Sequence, residues 1–242
     1  MNRLLILLLT LGLMMFTACK EDKEKSQPKS SHAKEAVSSK KADSETPVKK
    51  TKSPKEKMST DQTKYAPPTI DEVGDPMEVA VIETDLGNII VEFYPDIAPL
   101  HVANFKKLAK AGFYDGTTFH RVLPGFVIQG GCPNTKNSNP NDDGMGGPGY
   151  KVKAEFNEHL HEKGILSMAR SGDPNSAGSQ FFICLGRVQH LDNKYTVFGN
   201  VLKGIETVDK IAAMRRDPSK SHDRTLPAVV MKKVYVAKKS DI

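Results

Sequence analysis

The sequence predicts a mainly β domain of about eight short strands and two helices, preceded by a disordered tether. Three observations carry this. The composition changes sharply near residue 75, from a Lys/Glu/Ser/Thr/Pro tract to a chain with regular apolar spacing. Beyond that point, short alternating runs are separated by Gly- and Pro-containing turns, the signature of strands. Two longer runs instead repeat their apolar residues at the helical interval.

The first segment is residues 1–18. Asn2-Arg3 precedes an apolar run from Leu4 to Met15. Such a run is too short to span ~30 Å of hydrocarbon, which needs about 20 helical residues, and it fits a secretory signal peptide. It ends Phe16-Thr17-Ala18-Cys19, which resembles a bacterial lipobox with Cys19 as the lipidation site; Phe16 stands where leucine is usual. Lys20 follows, where an aspartate would resemble the inner-membrane retention signal of Gram-negative lipoproteins. The expected location is therefore the cell envelope, lipid-anchored, on the periplasmic or outer-membrane side.

Residues 19–75 hold too few large apolar side chains to offset the entropy of ordering them. As a flexible chain of about 55 residues the segment would span roughly 40 Å, a tether between a lipid anchor and a folded domain. The net charge of +6 resides here and in the leader: residues 20–64 carry 13 basic and 8 acidic side chains, whereas residues 65–242 carry 21 of each. A neutral domain argues against a nucleic-acid partner.

Residues 76–242 suffice for one domain with its own core. Strands are expected at Glu78–Thr84 and Asn88–Phe93 around the Asp85-Leu86-Gly87 turn. A helix follows from Ala98 to Ala111, marked by Val102, Phe105, Leu108 and Ala109 and stopped by Gly112. Strands Thr118–Leu123 and Phe126–Gln129 flank Pro124-Gly125. A Gly/Asn/Pro/Asp loop spans Gly131–Gly149. Further strands are read at Ile165–Ala169, Ser179–Leu185 and Val197–Val201. A second helix, Gly204–Met214, carries Ile205, Val208, Ile211 and Ala212, and a last strand runs Val229–Val236.

The run Phe119-His120-Arg121-Val122-Leu123-Pro124-Gly125-Phe126-Val127-Ile128-Gln129-Gly130-Gly131 stands out. Alternation puts Phe119, Arg121 and Leu123 on one side and Phe126 and Ile128 on another. An arginine beside an aromatic on a half-buried strand needs a partner or a task. Together with Gly178-Ser179-Gln180-Phe181-Phe182-Ile183 and Tyr195-Thr196-Val197-Phe198-Gly199, in this order and spacing, it resembles the cyclophilins, the peptidyl-prolyl cis-trans isomerases. The resemblance covers about residues 77–238. It implies a closed eight-stranded antiparallel barrel capped by two α-helices.

It also implies roles. Arg121 matches the catalytic arginine and Gln129 the glutamine that orients it. Phe126, Phe182 and Leu191 match the walls of a proline pocket, and Ala169 and Gln180 line the adjoining groove. Four substrate-binding positions depart from the common pattern: Val127 replaces methionine, Arg170 asparagine, His190 tryptophan and Tyr195 histidine. Losing the indole at 190 removes a flat surface and an N–H donor, so weak cyclosporin binding is expected.

No cofactor or metal is implied. His159-Leu160-His161 lacks partners at metal-ligand spacing and reads as surface histidines, and Asp142-Asp143-Gly144 lacks the spacing of a calcium loop. Cys132 and Cys184 read as free thiols, with a disulfide the alternative in an oxidising compartment. The expected function is prolyl isomerisation of exported proteins by a monomer whose partners are proline-containing polypeptides. Two other readings stay open: a non-catalytic or chaperone-like module that holds proline segments, and a surface lipoprotein that binds host or wall components. Arg121 favours the first.

Overall fold

A computed structural model describes residues 65–217 and 223–242. The expected signal peptide, Cys19 and residues 20–64 of the expected tether lie outside the described residues.

Eight strands and two α-helices are found among them: β1 (Glu78–Thr84), β2 (Gly87–Phe93), α1 (Pro99–Lys110), β3 (Arg121–Leu123), β4 (Val127–Gly130), β5 (Ile165–Met168), β6 (Phe181–Cys184), β7 (Val197–Lys203), α2 (Ile205–Ala213) and β8 (Lys233–Lys238). They form one antiparallel sheet in the order β3-β4-β6-β5-β7-β2-β1-β8. The sheet curls round a core fed from α1 by Val102, Phe105 and Leu108 and from α2 by Val208 and Ile211. Phe105 stacks on Tyr114 at 4.8 Å and meets Phe181 edge-on at 5.3 Å.

The expected closed barrel is met in coarser form, as an eight-stranded curled sheet. No ladder joins the edge strands β3 and β8. The residues just before each of them approach instead: Thr118 bridges Val230, the Phe119 N–H donates to the Val229 carbonyl (3.0 Å), and the Met231 N–H donates to the Thr117 carbonyl (2.8 Å). This non-local pairing takes up the first half of the expected strand Thr118–Leu123 and the start of the expected strand Val229–Val236. It also corrects the faces. Phe119 is fully buried in the core with Val122 and Ile128, while Arg121 and Leu123 are only partly covered.

Two contacts distant in sequence fix α1. Pro99 occupies the first turn, where its missing N–H costs nothing. Ala98 cannot cap that end, and the Glu155 carboxylate does so, accepting from the N–H groups of Leu100 and His101 at 3.0 Å each. Lys106 is buried, its ammonium donating to the carbonyls of Val73 (2.9 Å) and Asp75 (2.7 Å) and lying 3.1 Å from Glu78. Residues 65–75, which composition assigns to the tether, thus pack on the domain. Tyr65 meets Phe113 edge-on at 5.3 Å. Among the described residues no helix is long and apolar enough to cross a membrane.

Candidate active site

The turn after β3 sets the geometry of the site. Phe126 N–H donates to the Leu123 carbonyl at 2.9 Å, with Pro124 and Gly125 between them. Proline fixes φ at the first central position, and Gly125 (φ 76°) supplies the positive φ of a type II turn at the second. The turn locks the register of β3 on β4, placing Arg121 opposite Gln129 and Leu123 opposite Val127. Phe126 belongs to the turn and does not share a face with Ile128, which points into the core.

Alternation then sorts three strands. Ile128 on β4, Leu166 and Met168 on β5, and Phe181 and Ile183 on β6 face the core. Val127, Phe182 and Cys184 face outward and join Val188 and Leu191, with Phe126, Ile165, Ala169 and Tyr195 at the rim, in a second apolar cluster. This cluster leaves a hollow of about 150 Å³. Its lining is Arg121, Phe126, Val127, Gln129, Ala169, Arg170, Phe182, Leu191 and Tyr195, so every residue around it is one marked in the sequence. Gln180 lines an adjoining cavity of about 350 Å³, which shares Gln129, Ala169 and Arg170 with the hollow. His190 sits outside the hollow, its ring stacked on Phe126 at 5.5 Å.

Arg121 reaches the rim with its guanidinium carbon 5.6 Å from the centre of the Phe126 ring. Its Nη1 donates to Gln129 Oε1 at 3.3 Å. Gln129 Nε2 donates to Gln180 Oε1 at 3.1 Å, and Gln180 Nε2 donates to the carbonyls of Gly144 (2.7 Å) and Gly146 (2.9 Å). A relay of neutral amides therefore aims the cation, and among the described residues no carboxylate pairs with it. The close approach of β4 to the chain before β6 keeps that relay short. Gly131 has φ +84°, and a Cβ there would lie 2.5 Å from the Ser179 carbonyl oxygen.

Behind Phe182 lies a network that the sequence did not reveal. His161 is buried, not a surface histidine, and its ring runs parallel to Phe182 at 6.0 Å. Its Nδ1 lies 3.1 Å from Asp192 Oδ1 and its Nε2 3.1 Å from Ser167 Oγ. Asp192 also accepts from the His161 N–H (2.9 Å) and from the Arg187 guanidinium. Arg187, against desolvation, holds the Asp192 carboxyl well below the usual carboxylate range, while burial pushes the His161 imidazole down. The trio has the residue types of a hydrolytic triad, but Ser167 is fully buried and donates its hydroxyl hydrogen to the Thr196 carbonyl (2.9 Å). No substrate reaches it. The network fastens the turn Gln189–Leu191 to β5 and so holds Leu191 in place. Local spacing could not have shown this, because His161 and Asp192 are 31 residues apart.

Cys132 and Cys184 are both free and buried. Burial pushes the Cys184 thiol up to about 12, so it is an inert part of the apolar cluster. Among the described residues no three His, Cys, Asp or Glu side chains gather as a metal site.

Residues 79–236 match the family described as cyclophilin type peptidyl-prolyl cis-trans isomerase/CLD. A peptidyl-prolyl cis-trans isomerase from Synechococcus elongatus is 45% identical over 147 residues, covering 57% of this chain and 96% of its own. Peptidyl-prolyl cis-trans isomerase B from Bacillus subtilis is 53% identical over 124 residues, covering 50% and 81%. A crystal structure of a Cryptosporidium parvum cyclophilin type isomerase, in the presence of the dipeptide Ala-Pro, superposes with a TM-score of 0.58 at 30% identity, covering 66% of this chain and 99% of that one.

Proposed function

The chain belongs to the cyclophilin-type peptidyl-prolyl cis-trans isomerases, and we propose that it turns X-Pro bonds of exported polypeptides at the hollow beside Arg121. An X-Pro bond prefers trans by only ~0.5–1 kcal/mol, yet rotation crosses a barrier of roughly 18–20 kcal/mol set by amide resonance. No covalent step is needed. The site has only to bind the twisted amide better than the planar one, and each ~1.4 kcal/mol of that preference is tenfold in rate.

In the twisted state the prolyl nitrogen regains a lone pair. A permanently charged, forked donor beside it lowers the barrier, which suits arginine better than lysine. The observation that carries this reading is the Arg121 guanidinium at the rim of the hollow, bonded to the neutral Gln129 amide and, among the described residues, to no carboxylate. Phe126, Val127, Phe182 and Leu191 would hold the pyrrolidine ring. Gln129 would orient the cation, and Gln180 and Ala169 would position the substrate backbone. The Ala-Pro dipeptide of the Cryptosporidium relative supports a proline-containing ligand here. The bridge between Thr118 and Val230 supports reading the curled sheet as a barrel with its seam at β3 and β8.

The leader and Cys19 support an envelope lipoprotein: a signal peptide over residues 1–18, a lipid anchor at Cys19, a tether, and a monomeric catalytic domain. Its substrates would be exported proteins whose folding waits on X-Pro isomerisation. The full chain should speed cis–trans exchange in an Ala-Xaa-Pro peptide, and Arg121→Ala should remove most of that rate. If the unaltered chain gives no acceleration, the site only holds proline segments.

A further inference from the structure

We infer that this site favours prolines flanked by Asp or Glu, with Arg170 and Lys151 reading the charge; this rests on the isomerase reading above. Residues 65–242 balance 21 basic against 21 acidic side chains. The hollow and the adjoining cavity do not share that balance. Between them they are lined by Arg121, Arg170 and Lys151 and by no carboxylate.

Each cation keeps its field, and for a structural reason. Arg170 stands where the two cavities meet and is held rigidly. Its Nε and Nη2 donate to the Lys194 carbonyl (3.1 and 2.9 Å), its Nη1 donates to the Ser171 carbonyl (2.9 Å), and its guanidinium lies 4.5 Å from the centre of the Tyr195 ring. Those partners fix the group in place without cancelling its charge. The Arg121 partner is likewise a neutral amide. Lys151 has a carboxylate nearby, Asp173, but at 3.8 Å and with both side chains more than half exposed. A loose, solvated pair of this kind contributes little, so the ammonium can turn to a bound peptide.

Arg121 and Arg170, with no carboxylate partner among the described residues, and the loosely paired Lys151 focus a positive potential on whatever occupies the two cavities. A peptide in the channel displaces water and strengthens that field. An Asp or Glu side chain beside the proline is then attracted and a Lys repelled, a discrimination built from both terms.

The test uses the full chain and a series of proline peptides bearing Glu, Ala or Lys at successive positions on either side of the proline. At low salt, at one or more positions, Glu should exceed Lys in kcat/KM by about fivefold, and about 0.5 M NaCl should bring the ratio close to one. Arg170→Asn and Lys151→Gln should each lower the low-salt ratio. A ratio of one at every position, or one that survives both substitutions, would overturn the inference. Failure to accelerate even the Ala peptide would instead sink the isomerase reading. The dissociation constants of the same peptides then decide: tighter binding of Glu than Lys, lost on substitution, sustains the charge preference, and equal binding ends it.

Discussion

Phe181 and Phe182 are neighbours on one strand, equally apolar and both buried, yet they belong to different parts of the molecule. Phe181 points inward and meets the rings of Phe105, Tyr114 and Phe119 at 5.3, 5.8 and 6.4 Å. Phe182 points outward, 4% exposed, between His161 on one side and Tyr195 on the other. The inward cluster fills its own space, whereas the outward one stops short and leaves the hollow. Burial alone does not separate a core residue from a site wall. What separates them is whether the protein supplies the last layer of contacts or leaves it to a ligand.

The largest effect expected from this contrast is on stability. Phe181→Ala should cost about 3–5 kcal/mol, the usual range for deleting a buried aromatic side chain, read from chemical denaturation. Phe182→Ala should cost less than half as much but lower kcat/KM about tenfold, because the ligand-facing wall is lost. If the two variants exchange these effects, the division between filled core and open site is broken.

A pH titration sharpens the comparison, because the outward ring rests on an ionisable network. His161 has a folded pKa below its ordinary 6.5, so as pH falls past about 6.5 the unfolded chain takes up a proton that the folded chain refuses, and stability drops. Asp192, lowered from 3.8, adds a second loss as pH falls below about 4. Each bound proton contributes a slope of up to ~1.4 kcal/mol per pH unit. Asp192→Asn should flatten the lower limb, and an unchanged acid profile would remove the network from the account. The smallest effect concerns the rim, where His190→Trp should tighten cyclosporin binding about fivefold. Unchanged affinity would mean that position 190 does not limit it.

Much of the site was legible because its residues lie in long, ordered segments. Arg121 to Gln129 is one turn with its flanking strands. Phe182 is marked by the resemblance of the Gly178–Ile183 segment, since alternation by itself leaves a strand aromatic as core. What stayed hidden depends on pairing across the chain. The face of Phe119 was misread because residues 117–119 pair with 229–231, which no local period reports. Nothing in the local sequence marks Lys106 or Glu155, yet the first donates to the carbonyls of residues 73 and 75 and the second caps α1. The segment 65–75 looked like tether because its polar composition hides Tyr65 and Val73, which pack on the core. His161 looked exposed because its partner Asp192 arrives from a distant turn.

Arg121→Ala, followed by exchange NMR and an Ala-Pro titration in one sample, bears most directly on the claim that a single cation works beside a preformed hollow. The account predicts that exchange catalysis falls about 100-fold, equivalent to ~2.7 kcal/mol, while the dipeptide still shifts the resonances of Phe126, Phe182 and Leu191. Exchange at the unaltered rate would contradict it.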